Sequence, residues 1–422
     1  MRYRRHIDGL RTVAILPVVA FHLELSPFHG GFTGVDVFFV ISGFLITSMS
    51  VDELRHGRFS LMEFYKRRAL RILPAYVAMI AAVVIAAYFL MLPGEARSLG
   101  LTVAAASAFL SNVYFWRVTD YFNPNTASEP LIHTWTLSVE EQFYILLPIL
   151  LVLVARFLWA RFGPAVILIG LLSFGLSIVG LRLDPTGTFY LLPTRAWEFG
   201  LGALAAIYAL EARVTSPSLR AAGALLGVAL IGYGVFGLGP ESVFPGPNAL
   251  FPVLGAVLLI VCAYGTAVGT VLSTKGFVGI GKISYSLYLW HWPIIVFYRI
   301  AFGPVLGPGD VVLLLVLSFA VTVLSYVYIE QPFRTPGMRR RRAARGVATA
   351  GGTLAATIAL GLVVFQMSDR WGAYGPEVRR IAAYADYRLH NPVHPCMVHA
   401  RLPGQFEAFD PARCLPAPDG DG

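Results

Sequence analysis

The stretch HIDGLRTVAILPVVAFH holds Arg11 and His22 with ten residues between them. On a helix the two lie about 16 Å apart along the axis, one at each end of a short span. A histidine titrates near neutrality and suits a general base where it meets a cavity; it equally suits a plain interfacial position at the end of a span. FYKRRALRILP supplies Arg67, Arg68 and Arg71, with Arg68 and Arg71 sharing a helical face at i, i+3. Such a fork fits phosphate oxygens, and it also fits ordinary basic anchoring at a membrane surface.

Further along, HTWTLSVEEQFY carries His133, Trp135, Glu140 and Glu141 to the edge of the apolar run ILLPILLVLVARFLW. An unpaired charge at a hydrocarbon core is costly, so these carboxylates need a purpose. Adjacent residues project about 100° apart on a helix. One glutamate, assigned here as Glu141, is therefore expected to face a cavity, and Glu140 to cap the helix N-terminus, where the dipole favours a negative charge. GGFTGVDVFFVISGFLIT sets Asp36 and Ser42 in an apolar, glycine-rich run, with helix capping as the simpler role for Asp36. PTRAWEFG pairs Arg195 with Glu198 at i, i+3, and SYSLYLWHWP holds Tyr285, Tyr288 and His291 ahead of Pro293. An aromatic belt would account for the last of these. So many polar groups at one depth favour a lined cavity, with Asp36, His133, Trp135, Arg195, Glu198 and His291 around a bound acceptor. No metal is expected.

The elements that must position these residues are membrane spans. Of 422 residues, 56% are hydrophobic and only 14% are charged, and the mean hydropathy is +0.67. That composition implies an all-α, polytopic transmembrane bundle rather than soluble domains. The net charge of +9 does not indicate nucleic acid, because there are only three lysines and the arginines gather in short clusters between apolar runs. That is positive-inside patterning, with contacts to anionic membrane lipid as a secondary reading. Apolar runs fall near 10–25, 34–50, 72–92, 139–158, 163–181, 192–210, 219–238, 249–271, 282–301, 308–329 and 346–367, which makes about eleven spans. Keeping the basic clusters on one side requires an even number of crossings between Arg71 and Arg156. The stretch 99–115 is therefore read as re-entrant or lying along the outer surface, with a twelfth span as the alternative. The N-terminus is then cytoplasmic and the C-terminal tail periplasmic, in a bacterial inner membrane. On that topology SVEEQFY and His22 fall in the same outer leaflet.

Taken in order, HIDGLRTVAILPVVAFH, GFTGVDVFFVISGFLI, FYKRRALRILPAY, HTWTLSVEEQFY, ISYSLYLWHWP and IEQPFR resemble the membrane-bound acyltransferase family 3, which contains bacterial O-acetyltransferases of O-antigen and other surface glycans. The family's pattern of an arginine, ten residues and a histidine matches Arg11 and His22, and its paired-arginine motif matches Arg68 and Arg71. The resemblance implies an acyl-CoA donor, acetyl-CoA above all, bound inside; Arg68 and Arg71, joined by Arg11 and Arg67, are expected to hold its phosphates. It also implies a surface-glycan acceptor outside and an essential His22; Glu141 or Glu140 is expected, from position alone, to orient the imidazole or the acceptor. It covers residues 1–335 as the acyltransferase domain, followed by a basic linker and an extra helix at 336–367 and an extracytoplasmic tail at 368–422. That tail, with Cys396 and Cys414, resembles the start of an SGNH-type module, absent or truncated here because no GDS-type nucleophile motif appears. Cys262 reads as a small buried hydrophobe. The alternative function is a transporter of a glycan or ion, although no inverted repeat is visible.

Overall fold

The eleven apolar runs are largely helical in the computed structural model, which describes residues 3–118, 128–157, 162–334, 346–375 and 377–378. The cysteines Cys396 and Cys414, most of the tail and most of the basic cluster from Arg334 to Arg345 lie outside the described residues. The principal helices are α1 (Arg5–His22), α2 (Gly34–Arg55), α3 (Leu61–Leu90), α4 (Pro93–Ser107), α5 (Ser111–Val118), α6 (Thr134–Phe157) and α7 (Phe162–Leu183). After the short α8 (Pro185–Tyr190) come α9 (Leu192–Ile207), the single turn α10 (Leu210–Arg213), α11 (Pro217–Gly237), α12 (Leu250–Cys262) and the short α13 (Ala267–Leu272). The chain continues through α14 (Lys275–Phe302), α15 (Pro308–Leu324), a π-helical turn at Ser325–Glu330, α16 (Gln331–Arg334) and α17 (Gly346–Gln366). Among the described residues, seven helices are long and apolar enough to cross a membrane. The other four runs form helices that are shorter or too studded with polar groups to meet that measure alone. A polytopic helical bundle is thus what the fold supports, with a count of seven such helices where the apolar runs suggested eleven.

Close backbone approach at glycine sets the helix directions. A methyl on Gly43 would overlap the Phe199 carbonyl and one on Gly202 the Val40 carbonyl, so α2 and α9 run parallel in tight contact. A methyl on Gly281 would overlap the Asp8 carbonyl, and Thr12 Oγ1 donates to the Phe277 carbonyl at 2.5 Å, locking α1 beside α14 in parallel. Gly34 abuts Ala14 while Phe44 lies under the Arg4 guanidinium, so α2 returns antiparallel to α1. The bundle consequently has a basic end, where α1, α3 and α14 begin, and a far end, where they finish.

The stretch 99–115 is no continuous span. It breaks after α4, where Phe109 adopts φ 55°, and α5 sets off anew at Ser111. Gly100 meets Phe365 while Ala104 meets Gly361, so α4 descends antiparallel to α17 from the far end. Phe109 lies 6.2 Å from the Tyr76 ring, fourteen residues before the end of α3, so the break is about 20 Å below that end. This is a re-entrant hairpin. Its polar break is satisfied by α6: Gln142 Nε2 donates to the Phe109 carbonyl at 2.9 Å and to Asn112 Oδ1 at 2.8 Å.

Candidate functional site

Two polar centres lie along one axis of the bundle. At the basic end a cavity of about 610 Å³ is lined by Arg11, Arg67, Arg68, Arg71, Lys282 and Arg334, with Glu140 and Asp8 opposing them and Phe38, Phe39, Ile72 and Leu137 supplying apolar wall. The Ser60 hydroxyl caps α3, accepting from Glu63 N at 3.4 Å, and so fixes the register of the arginines about two to three turns on. They are not equivalent. Arg67 is bound to Glu53 at 2.8 Å. Arg68 sits 3.6 Å over the Tyr144 ring and 3.5 Å from Glu141. Arg11 and Arg71 line the cavity with no ion pair among the described residues. Two guanidiniums without a carboxylate partner among the described residues face one half-apolar chamber, a geometry that suits the oxygens of an anion.

Sequence reasoning missed Lys282 and Arg334 in this chamber, and Glu330 behind Arg334. Glu330 is buried, accepts a 2.6 Å hydrogen bond from Ser286 Oγ and pairs with Arg334 across one turn. The signal was present in IEQPFR, where glutamate and arginine stand at i, i+4. A π-helical turn changes the angular phase of the residues after it, so the face on which Arg334 emerges was not legible.

At the far end, His22 and His291 meet. Their rings are 22° from parallel, and His22 Nδ1 lies 2.9 Å from His291 Nε2. His133 stands behind them, its ring 6.1 Å from that of His291, and Trp292 packs 4.6 Å from His22. The Trp292 indole donates to the Glu129 carbonyl at 2.9 Å, tying α14 to the segment that leads into α6. Burial pushes the Glu129 carboxyl up from its ordinary range. Arg299 binds Glu24 at 2.7 Å beyond the end of α1. His22 itself remains partly exposed. Between the two centres, Thr136 Oγ1 and Tyr288 Oη are 2.7 Å apart, and Tyr288 Oη donates to the His133 carbonyl at 2.9 Å. The cavity lining reaches this pair and stops.

Several expectations are corrected by this geometry. Glu140 and Glu141 do not stand beside His22. Glu140 accepts from Ser42 Oγ at 2.9 Å and lines the cavity with Arg11, while Glu141 turns to Arg68. His133 is level with His291, and Glu140 lies seven residues further along the chain, about 10 Å nearer the basic end. The sequence reading took the first apolar residues after SVEEQFY as the membrane edge. The carboxylates are instead carried inside, where Arg68, Ser42 and the hairpin break satisfy α6. The division between the two is also reversed: Glu140 faces the cavity, and neither caps α6, which starts at Thr134. Asp36, Arg195 and Glu198 do not line a site for a substrate. They form a triad buried to 1% exposure or less, with Arg195 Nη2 3.1 Å from Asp36 and Nη1 3.1 Å from Glu198. The Arg195–Glu198 pairing was expected, but not its third member. Trp135 is buried beside it, 5.9 Å from the Arg195 guanidinium, as one wall of an aromatic box with Phe39, Phe189 and Phe244. Of the proposed acceptor contacts, only His133 and His291 lie near His22.

A helical bundle with an arginine-lined chamber at one end and a histidine pair toward the other defines a polytopic membrane protein. Comparison with known proteins makes that specific: residues 4–330 match the acyltransferase domain model, and the chain belongs to that family. It is 34% identical over 360 residues to the O-acetyltransferase OatA of Staphylococcus aureus strain NCTC 8325 / PS 47, across 80% of this chain and 58% of that protein. It is 32% identical over 359 residues to a putative O-acetyltransferase of Staphylococcus aureus strain MSSA476, again across 80% of this chain and 58% of that one. The chain thus spans little more than half the length of these curated relatives. No solved structure matches.

Proposed function

We propose that the protein is a membrane O-acyltransferase that moves an acyl group, acetyl in the first instance, from acyl-CoA to a hydroxyl of a surface glycan. The observation that carries this reading is the pair of unpaired guanidiniums, Arg11 and Arg71, on a cavity large enough for a phosphorylated donor. Lys282 adds a further cation, while Arg67, Arg68 and Arg334 hold their charges in place through carboxylates. The basic end faces the cytoplasm, where acyl-CoA is made, and the far end faces the glycan in the periplasm. From Arg11 to His22 is about 16 Å of helix, a length that an extended pantetheine arm matches. Thr136 and Tyr288 must part to admit the thioester to His22.

There the acceptor hydroxyl gives its proton to His22 as its oxygen forms a bond to the thioester carbonyl carbon. Collapse of the tetrahedral intermediate breaks the carbon–sulfur bond, and the imidazolium returns the proton to the departing thiolate, leaving an ester and free CoA. The similarity to O-acetyltransferase relatives supports the reaction class. His22→Ala is expected to abolish transfer of labelled acetyl from acetyl-CoA to surface glycan while the protein still inserts in the membrane. Ordinary transfer by that variant would overturn the assignment.

A further inference from the structure

We infer that His291 is a positioning residue that fixes the His22 ring in the tautomer with Nδ1 protonated and Nε2 bare. The tautomer is set from a backbone carbonyl. His291 Nδ1 lies 2.9 Å from the Leu287 carbonyl oxygen, one turn earlier on α14. A carbonyl only accepts, so His291 Nδ1 carries the hydrogen. A neutral imidazole has one donor and one acceptor nitrogen, which leaves His291 Nε2 as an acceptor. The nitrogen 2.9 Å from it is His22 Nδ1, which must therefore be the donor. His22 Nε2 is left with its lone pair, directed away from the protein partner.

The surroundings hold this arrangement. His291 is fully buried on α14, while Trp292, the next residue, packs against His22 and is anchored through its indole to Glu129. Arg299, two turns on from His291, contributes a long 3.5 Å contact to the His22 carbonyl, so the backbone at the end of α1 is held from the same helix. The role resembles in kind that of a buried acceptor behind a catalytic histidine, here filled by a neutral ring rather than a carboxylate. A neutral acceptor orients the base and receives the hydrogen bond of the imidazolium without placing a second charge in the membrane. The tautomer follows from the geometry alone; its catalytic consequence rests on the proposed function.

The test uses the full chain in lipid with ¹⁵N-labelled histidine, the His22 signals being identified by their loss in His22→Ala. The expected result is a His22 ring with a proton on Nδ1 and none on Nε2. In His291→Leu the ring should lose that preference. In His291→Gln, whose side-chain oxygen reaches the former Nε2 position, it should keep it. A His22 ring carrying its proton on Nε2 in the unaltered protein, or one unchanged in His291→Leu, overturns the inference. Should His291→Leu not fold, the unaltered protein and His291→Gln decide it. In parallel, His291→Leu should lower acyl transfer by about 100-fold or more, the scale of a general-base contribution. Acyl-CoA binding should be unchanged, and His291→Gln should recover much of the loss. If the tautomer is as inferred and yet the unaltered protein transfers no acyl group, the proposed function fails and the positioning role stands.

Discussion

The triad of Asp36, Arg195 and Glu198 makes a quantitative claim about what holds the bundle together. Both carboxylates contact a single guanidinium at 3.1 Å, and all three side chains are at 1% exposure or less. At an effective dielectric constant of about 20, each contact is worth about 5 kcal/mol of Coulomb attraction before desolvation and mutual repulsion are subtracted. Removing the guanidinium in Arg195→Met leaves two buried carboxylates facing an aromatic box. The expected cost is about 3–5 kcal/mol, the range for breaking one side of a buried ion pair. Glu198→Gln leaves a one-to-one pair with Asp36 and should cost no more than about 1–2 kcal/mol. The assay is equilibrium unfolding of the purified chain in detergent, followed by tryptophan fluorescence, since Trp135 lies beside Arg195. An Arg195→Met protein as stable as the parent, or a Glu198→Gln protein that is the more damaged of the two, would refute the account.

Gly43→Ala drives a methyl into the Phe199 carbonyl, whereas Gly175→Ala on α7 meets nothing within 4 Å. The first should destabilise by about 1–3 kcal/mol or more and the second should be neutral or stabilising by up to about 1 kcal/mol, as read by thermal melting in detergent. Arg71→Ala and Arg11→Ala should each raise the KM for acyl-CoA by about tenfold or more, the scale of one lost charge-assisted hydrogen bond. Arg67→Ala should raise it less, because Glu53 already binds that guanidinium; equal effects at all three would argue against the unpaired cations as the donor site.

Particular residues mark the boundary between what was legible in the chain and what was not. Arg11, Arg71 and His22 could be assigned to opposite ends of a span because the rise of a helix is fixed and local. The re-entrant reading of 99–115 came from charge parity alone, and the break at Phe109 agrees with it. Glu140 and Glu141 were placed wrongly, since their depth depends on how far α6 sinks into the bundle. That is set by Gln142, Asn112 and Arg68 on three different elements. Asp36 looked separate from the Arg195–Glu198 pair, because nothing in the sequence says that α2 and α9 run parallel with glycines face to face.

The sequence by itself determined that this is a polytopic helical membrane protein that resembles the acyltransferase family, with arginine clusters between its apolar runs. Apolar length, charge clustering and short motifs are properties of contiguous residues. Only the tertiary structure decided which arginines stay unpaired, which carboxylate faces the cavity and which nitrogen of His22 is left bare. Those outcomes depend on the register between helices hundreds of residues apart, where a displacement of one turn exchanges one polar partner for another.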